Sequence, residues 1–264
     1  MTNAEYHARP EISKSDLDLL AKSPYHFKNK DKFRTETKSL LLGSLVHKLV
    51  LEPNDLYNEF AIEPDCDKRT KAGKEIYQEF LEENQDKSIV EVSVFDEAKQ
   101  IADSVLYMRE SGLFLKDGLA EQSYFAEIEG VKVKCRPDFY NEKLGIAIDL
   151  KTTSDASALG FAKSVANFNY HIQASFYSDI LRANGKEVNN FLFIAVETKA
   201  PYMVGFYELD EVALQKGRED YLKLLELYKN CKQRNEWWGY AKYEDDKVSH
   251  IQTISLPSWK FYEK

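Results

Sequence analysis

The spacing of hydrophobic residues changes from a helical to a strand period near residue 120. Before that point, apolar residues recur at three- and four-residue intervals, which predicts amphipathic helices. We predict a short helix that Ser13 caps and Pro24 ends, followed by helices over residues 40–51 and 71–83. A longer helix is predicted to begin at Ser93 and to end at Gly112. The first ninety residues are therefore predicted to be helical.

The second half of the chain alternates apolar and polar residues, which predicts strands. Glu129-Gly130 is a turn signal between the first two of them. The predicted elements are, in order, strands over residues 122–128, 131–135 and 146–151, two helical pieces within 155–183, strands over 191–196 and 203–209, and a helix over 212–231. This order predicts a mixed α/β fold with a central mixed sheet flanked by helices and an N-terminal helical layer.

Neither an internal repeat nor a low-complexity linker divides the sequence. We therefore expect a single domain over residues 1–264. Its predicted parts are a helical layer over 1–92, an αβββαβ core over 93–200, and a strand, helix and tail over 201–264.

The amino-acid composition is that of a globular protein. The 264 residues are 43% hydrophobic and 30% charged, as in ordinary globular proteins. The longest apolar run is too short to span a bilayer, and the N-terminus lacks an apolar signal core, so we expect a cytoplasmic protein with no membrane contact. Three cysteines without C-x-x-C spacing favour free thiols over disulfides, zinc or iron–sulfur clusters.

The net charge of −8 argues against a nucleic-acid partner on average. Two stretches, residues 22–38 and 66–74, nevertheless carry an excess of Lys and Arg. Such a stretch either lines a binding groove or forms a solvated face.

Asp149 and Lys151 are the first candidate catalytic residues. They lie two apart on a predicted strand, so both side chains share one face, roughly 7 Å apart, while Leu150 points into the core. Asp138 is expected at the end of the preceding strand, where a turn brings it back towards Asp149. Paired carboxylates without thiolates favour Mg²⁺ or Mn²⁺, and Lys151 would then orient a water or neutralise charge on a phosphate. A structural Asp–Lys pair is the alternative.

Two further patterns carry candidate residues. His47 follows Gly43 by four residues on the predicted apolar helix, and Gln173 and Tyr177 share one face of a later helix. Each also has a structural interpretation, since a lone histidine can be satisfied within a core and a Gln–Tyr pair can serve packing.

Taken in order, Gly43-x-x-x-His47, Pro137-Asp138, Asp149-x-Lys151 and Gln173-x-x-x-Tyr177 resemble the motifs of PD-(D/E)XK nucleases, in the branch of the RecB nuclease domain and lambda exonuclease. Further segments resemble the nuclease domain of RecE-type exonucleases (exonuclease VIII). These segments are residues 6–7, 12–15, 43–47, 51–53, 69–74, 135–138, 149–153, 170–179 and 255–259. They extend over nearly the whole chain.

The resemblance implies a restriction-endonuclease-like core and a Mg²⁺-dependent 5′-to-3′ exodeoxyribonuclease. Such an enzyme degrades one strand of linear double-stranded DNA and leaves 3′ single-stranded tails for recombination. The implied metal ligands are Asp138, Asp149, His47 and the backbone carbonyl of Leu150, for one or two ions, with Mn²⁺ as a substitute. Lys151 is the implied catalytic lysine.

Other roles follow from the same resemblance. Glu121 matches an additional acidic position, while Gln173 and Tyr177 are implied to support the site and to touch DNA. We expect phosphates to be held by basic side chains. The candidates are Arg69, Lys71 and Lys74, followed by Lys28, Lys30, Lys32 and Arg34.

The implied partners are double-stranded DNA ends, further copies of this chain in a ring-shaped homo-oligomer, with a tetramer favoured, and a RecT-type single-strand annealing protein. Two other functions stay open at this point. One is a structure-specific or restriction-type endonuclease on the same fold, and the other is a catalytically inactive DNA-end-binding protein. The sequence has no Gly-x-x-x-x-Gly-Lys motif for a helicase motor.

Overall fold

The computed structural model describes residues 1–32, 37–244 and 247–261, without the side chains of Glu244 and Trp259. Arg34, one of the predicted phosphate contacts, lies outside these residues. None of the helices in the described ranges combines the length and apolar character needed to cross a membrane.

The N-terminal part of the fold is mostly helical, with two short strands. Its elements are α1 Asn3–Ala8, α2 Lys14–Lys22, α3 Pro24–Lys28, α4 Lys38–Leu51, α5 Leu56–Glu59, β1 Phe60–Ile62, α6 Lys71–Glu83, β2 Ser88–Val90, α7 Val92–Tyr107 and α8 Arg109–Phe114. Ser13 caps α2 in a capping box with Asp16, and Pro24 begins α3. The signals in the sequence therefore act where they were expected.

The C-terminal part contains most of the strands. Its elements are β3 Gly118–Ala120, β4 Tyr124–Ile128, β5 Val131–Cys135, β6 Phe139–Asn141, β7 Ile146–Thr153, α9 Ala158–Asn167, α10 Tyr170–Ala183, β8 Asn190–Glu197, β9 Val204–Glu208, α11 Glu211–Arg234, β10 Lys242–Glu244 and β11 Lys247–Ser249.

A five-stranded mixed sheet in the order β3-β6-β7-β8-β9 forms the centre of the fold. The pair β7–β8 is parallel, with Asp149 opposite Phe193, and the other neighbours are antiparallel. The predicted α/β class with a central mixed sheet flanked by helices is therefore confirmed.

The sheet separates two hydrophobic cores. Ala147 of β7 belongs to the core shared with α2, α10 and α11, whereas Ile148 and Leu150 belong to the core shared with α4 and α7. Because strand side chains alternate between faces, Asp149 and Lys151 lie on the α10 side of the sheet.

Several predictions about the elements were wrong. The hairpin β4–β5 is a separate two-stranded sheet and does not join the central one. The strands β3 and β6, which were not predicted, form that edge of the central sheet instead. The strands β1 and β2 interrupt the predicted helical layer as a parallel pair. Strands of three residues are too short to show alternation, which is why the sequence did not reveal them.

The helix predicted to end at Gly112 ends at Tyr107 instead. Met108 has extended backbone angles (φ −69°, ψ 133°), so the chain breaks there and begins α8, which contains Gly112. The division of the chain at residues 92 and 200 stays a prediction.

The helices α10 and α11 are joined by a half-buried carboxylate. Asp179 accepts hydrogen bonds from Arg218 Nε at 2.8 Å, Arg218 Nη2 at 2.6 Å and the Tyr221 hydroxyl at 2.6 Å. Burial alone would raise the pKa of Asp179, but these hydrogen bonds outweigh burial and hold the pKa below its usual value. The ionised carboxylate therefore stabilises the packing of α10 on α11.

We predict that Asp179→Asn lowers the free energy of unfolding at pH 7 by about 2 kcal/mol, because hydrogen bonds to a charged group are lost. A carboxylate with a lowered pKa stabilises the fold above its unfolded pKa of about 3.9, and the gain disappears as pH falls below that value. Urea titrations from pH 7 to pH 3 measure both effects. The matched control is Glu219→Gln, an exposed α11 residue, which should change stability by less than about 0.5 kcal/mol. An equal effect of both substitutions would contradict the prediction.

Candidate active site

Asp149 lies at the centre of the site, on the face of β7 that meets α10. Its side chain is 2% exposed. Lys151 Nζ lies 2.5 Å from Oδ1 as an ion pair, and Gln173 Nε2 of α10 donates a hydrogen bond to Oδ2. The charge of Lys151 is therefore the partner of Oδ1, and Gln173 is the partner of Oδ2.

Asp138 lies in the connection between β5 and β6, not at the end of a strand as predicted. The pairing of β6 with β7 stops at Phe139 opposite Ile148, which leaves the Leu150 backbone N–H without a strand partner. Asp138 Oδ2 accepts a hydrogen bond from this N–H at 2.6 Å. The termination of β6 thus holds the Asp138 carboxylate beside the part of β7 that carries Asp149.

His47 reaches the same place from the opposite face of the sheet. A Cβ on Gly43 would lie 3.4 Å from Thr152 Oγ1, which places this part of α4 directly beside β7. His47 Nε2 donates to the Leu150 carbonyl oxygen at 2.5 Å, and Nδ1 lies 3.4 Å from Asp138 Oδ2. In a neutral ring, Nδ1 and the carboxylate oxygen are both acceptors, so either a proton or a cation must satisfy them.

Glu121 follows β3 and adopts a left-handed backbone conformation with φ 51°. Its backbone N–H donates to the Asp138 carbonyl oxygen at 3.1 Å. Within the described residues, His47, Glu121 and Asp138 each offer a ligand atom, and these atoms lie within 4.8 Å of one another. Asp149 is not in this group of three, because its carboxylate turns towards Lys151 and Gln173.

The buried carboxylates shift each other's pKa. Burial, followed by the charge of Asp149, raises the pKa of Asp138 to about 6. Burial, followed by the charge of Asp138, raises the pKa of Glu121 to about 8. Burial alone would lower the pKa of Lys151, but the charges of Asp149 and Asp138 outweigh it and raise the value. Lys151 is therefore an ammonium group beside an excess of carboxylates.

These donors fit a hard divalent cation. Carboxylate oxygens, one imidazole nitrogen and the nearby Leu150 carbonyl are ligands that Mg²⁺ and Mn²⁺ accept. The facing acceptors of His47 and Asp138 and the raised pKa values of the Asp138 and Glu121 carboxyl groups indicate a deficit of positive charge that a cation would relieve.

Gln173 and Tyr177 both lie on α10, as predicted. Gln173 is buried and fixes Asp149. Tyr177 packs its ring against Phe176 and Phe191, and burial, followed by the neighbouring Tyr6 and Asp149, raises the pKa of its hydroxyl. Tyr177 is partly buried and packs against the core, and its role in the site stays a prediction.

The predicted phosphate contacts are not brought to the carboxylates. Arg69, with its side chain 91% exposed, pairs with Asp67 in the loop before α6. Lys71 lies 3.9 Å from Glu75 on the exposed side of α6, and Lys74 is also exposed. Residues 69, 71 and 74 are not among those that line the cleft over His47 and Glu121.

The second basic stretch makes contacts of its own. Lys28 lies over the Trp237 ring at 5.2 Å, Lys30 Nζ lies 2.7 Å from Asp16 Oδ1, and Lys32 is exposed.

The cleft over His47 and Glu121 has a volume of about 1100 Å³, and Lys48 and Arg136 also line it. Arg136, which sequence reasoning gave no role, donates to Ser123 Oγ at 2.9 Å and lies over the Tyr6 ring at 4.3 Å. It supplies positive charge beside Glu121. Its position directly before Pro137-Asp138 was the one signal that could have identified it.

Lys14 is a second basic residue that sequence reasoning did not place in the site. Its Nζ lies 5.6 Å from the centre of the Tyr170 ring, and Lys151 Nζ lies 4.8 Å from the same ring. Burial is the largest influence on the pKa of Lys14 and lowers it, although Asp18 opposes the shift. Only the tertiary fold brings residues 14 and 151 together, so no local pattern could have shown it.

Residues 13–245 match the family model of the PDDEXK-like domain of unknown function (DUF3799). The chain belongs to this family. The resemblance to PD-(D/E)XK nucleases is thereby confirmed at the level of the superfamily. The assignment of Asp138, Asp149 and Lys151 to its motif stays a prediction.

One solved structure shows the same fold. The crystal structure of a "putative exonuclease" from Eubacterium rectale aligns with a TM-score of 0.64 at 16% identity, over 97% of this chain and 95% of that chain. A structure of SSO0001 aligns with a TM-score of 0.37 at 17% identity, over 84% of this chain and 81% of that chain. No curated protein sequence matches the chain.

We predict that Glu121→Gln raises the free energy of unfolding in EDTA by about 1 kcal/mol, which corresponds to about 2–4 °C in Tm, because one of several crowded carboxylates is removed. The same substitution should reduce the rise in Tm that saturating Mn²⁺ produces in the wild type, since a ligand is lost. Thermal unfolding with EDTA and with Mn²⁺ measures both. Glu75→Gln, on the exposed side of α6, is the control and should change neither. Equal behaviour of the two variants would contradict the prediction.

Proposed function

We propose that this protein is a divalent-metal-dependent nuclease that hydrolyses phosphodiester bonds in DNA. The observation that carries the proposal is the meeting of Asp138, Asp149 and Lys151 with His47 and Glu121 along one part of β7. Membership of the PDDEXK-like family supports a nuclease, and these carboxylates would hold a divalent cation that could stabilise charge on a phosphate.

We assign the residues of the site different roles in hydrolysis. Asp138, Asp149, Glu121 and His47 would hold the cation, which when bound stabilises phosphate charge and makes a water more acidic. Lys151 orients the attacking water and neutralises charge that builds on the phosphate oxygens. The oxygen of that water forms a bond to phosphorus while the bond to the leaving sugar oxygen breaks.

Positioning of Lys151 is the second requirement of this mechanism. The Asp149 carboxylate holds the ammonium by charge, Gln173 fixes the other oxygen of that carboxylate, and the Tyr170 ring lies 4.8 Å from Nζ. Fixed groups of this kind stabilise a transition state without reorganising during the reaction.

We further propose the finer activity of a RecE-type enzyme: 5′-to-3′ degradation of one strand of linear double-stranded DNA, with Mg²⁺ as the natural ion and Mn²⁺ as a substitute. The motif resemblance over nearly the whole chain supports this choice. The same proposal includes a ring-shaped homo-oligomer, with a tetramer favoured. It also includes a RecT-type annealing partner, which binds the 3′ tails for recombination. Lys14 and Arg136, the basic residues beside the site, join the candidate phosphate contacts.

The choice between exonuclease and endonuclease is tested with end-labelled linear duplex and covalently closed circles of the same sequence. We predict that Mg²⁺ supports release of nucleotides from the 5′ ends of the linear duplex, that EDTA abolishes it, and that the circles stay intact. Nicking of the circles would contradict the exonuclease activity and indicate an endonuclease. Binding of ends without any cleavage would favour the inactive end-binding protein.

We predict that Lys151→Ala lowers the rate of cleavage by about 10²–10³-fold while DNA binding in EDTA changes little, because the lysine acts mainly on charge that develops in the reaction. The matched control is Lys143→Ala, an exposed lysine with its side chain 74% accessible. Its rate should equal that of the wild type. An unchanged rate for Lys151→Ala would overturn the assignment of the site.

A further inference from the structure

Phe168 is an exposed aromatic residue in the two-residue connection between α9 and α10. Its side chain is 58% exposed, although burial of a phenylalanine is worth about 1.5–3 kcal/mol. A single exposed apolar residue is common on protein surfaces. The position of this ring beside the proposed catalytic lysine is what distinguishes it from the others.

The backbone around Phe168 is held firmly. Its N–H donates to the Ser164 carbonyl oxygen at 2.9 Å, and its own carbonyl oxygen accepts a hydrogen bond from Lys14 Nζ at 2.7 Å. Asn169 adopts the left-handed conformation with φ 55°, which asparagine tolerates better than most residues, and its amide donates to Asp18 Oδ1 at 3.3 Å. Contacts from Lys14 and Asp18 of α2 therefore fix the backbone from which the exposed Phe168 ring extends.

A short stack of rings connects Phe168 to the site. The Phe168 and Tyr170 rings are stacked, with centroids 5.7 Å apart and an interplanar angle of 28°. The ammonium groups of Lys151 and Lys14 lie 4.8 Å and 5.6 Å from the centre of the Tyr170 ring. A single ring thus separates the exposed face of Phe168 from the lysine that the mechanism uses.

We propose that Phe168 is a stacking platform for the nucleobase of a nucleotide next to the phosphate that is cleaved. The proposal rests on the proposed function of DNA hydrolysis. Every nucleobase has a π-face, so stacking on an aromatic side chain adds affinity without sequence preference. The neighbouring Lys14 adds positive charge that attracts the DNA backbone next to that nucleotide.

The platform requires an accessible base. A base inside an intact duplex is covered by its neighbours on both faces, whereas a terminal nucleotide that frays from its partner can offer one face to Phe168. The platform therefore selects DNA ends and holds the frayed strand with its backbone towards Lys151.

The first test measures binding in EDTA, by fluorescence anisotropy with a short labelled duplex, so that cleavage plays no part. Phe168→Ala should weaken binding about tenfold, and Phe168→Trp, which keeps a stacking ring, should restore it. Tyr107→Ala is the matched control, since Tyr107 is a 92% exposed aromatic residue at the end of α7. It should bind like the wild type. Equal affinity of Phe168→Ala and the wild type would overturn the platform.

The second test asks whether Phe168 acts on a base. The same duplex is made with one abasic nucleotide at each of the first four positions of either strand, and each is measured with the wild type and with Phe168→Ala. At the stacked position, loss of the base and loss of the ring should not add, because both remove the same contact. Additive losses at every position would overturn the proposal.

These results are distinguishable from failure of the proposed function. Cleavage of linear duplex by Phe168→Ala with unchanged binding would leave the nuclease in place and overturn the platform alone. Absence of DNA binding by the wild type would overturn both.

Discussion

The burial of several carboxylates close together is the constraint on which the rest of the site depends. Asp149 is paired with Lys151, whereas burial, followed by repulsion from a neighbouring carboxylate, raises the pKa of Asp138 to about 6 and that of Glu121 to about 8. A protein that only needed stability would gain from replacing such groups with apolar ones. Their retention beside Lys151 is explained by a task that needs concentrated negative charge, and holding a divalent cation against a phosphate is such a task.

The backbone of β7 makes this crowding possible. The sheet partner β6 is so short that the N–H and C=O of Leu150 find no strand on that side, and Asp138 and His47 take their places at 2.6 Å and 2.5 Å. An acidic and an imidazole side chain are thereby fixed by the strand that presents Asp149 and Lys151. Asp138 and His47 therefore satisfy the backbone of β7 and also belong to the candidate site.

The sequence predicted more of the core than of the periphery, for physical reasons. The strand β7 was evident from an apolar run, and its two-residue period placed Asp149 and Lys151 on one face. The place of Asp138 depended on β6, which is too short to have a recognisable period, and the separate hairpin β4–β5 could not be told from strands of the sheet. The basic residues chosen from the local charge excess lie on exposed parts of α6, whereas Lys14 and Arg136 reach the site through tertiary packing that charge counting does not detect.

Anomalous X-ray scattering from crystals grown with Mn²⁺ locates the ion without reference to activity. We expect an anomalous peak in contact with carboxylate oxygens of Asp138 and Asp149. Active protein whose crystals, at the same Mn²⁺ concentration, show no peak among Asp138, Asp149, Glu121 and His47 would contradict this expectation.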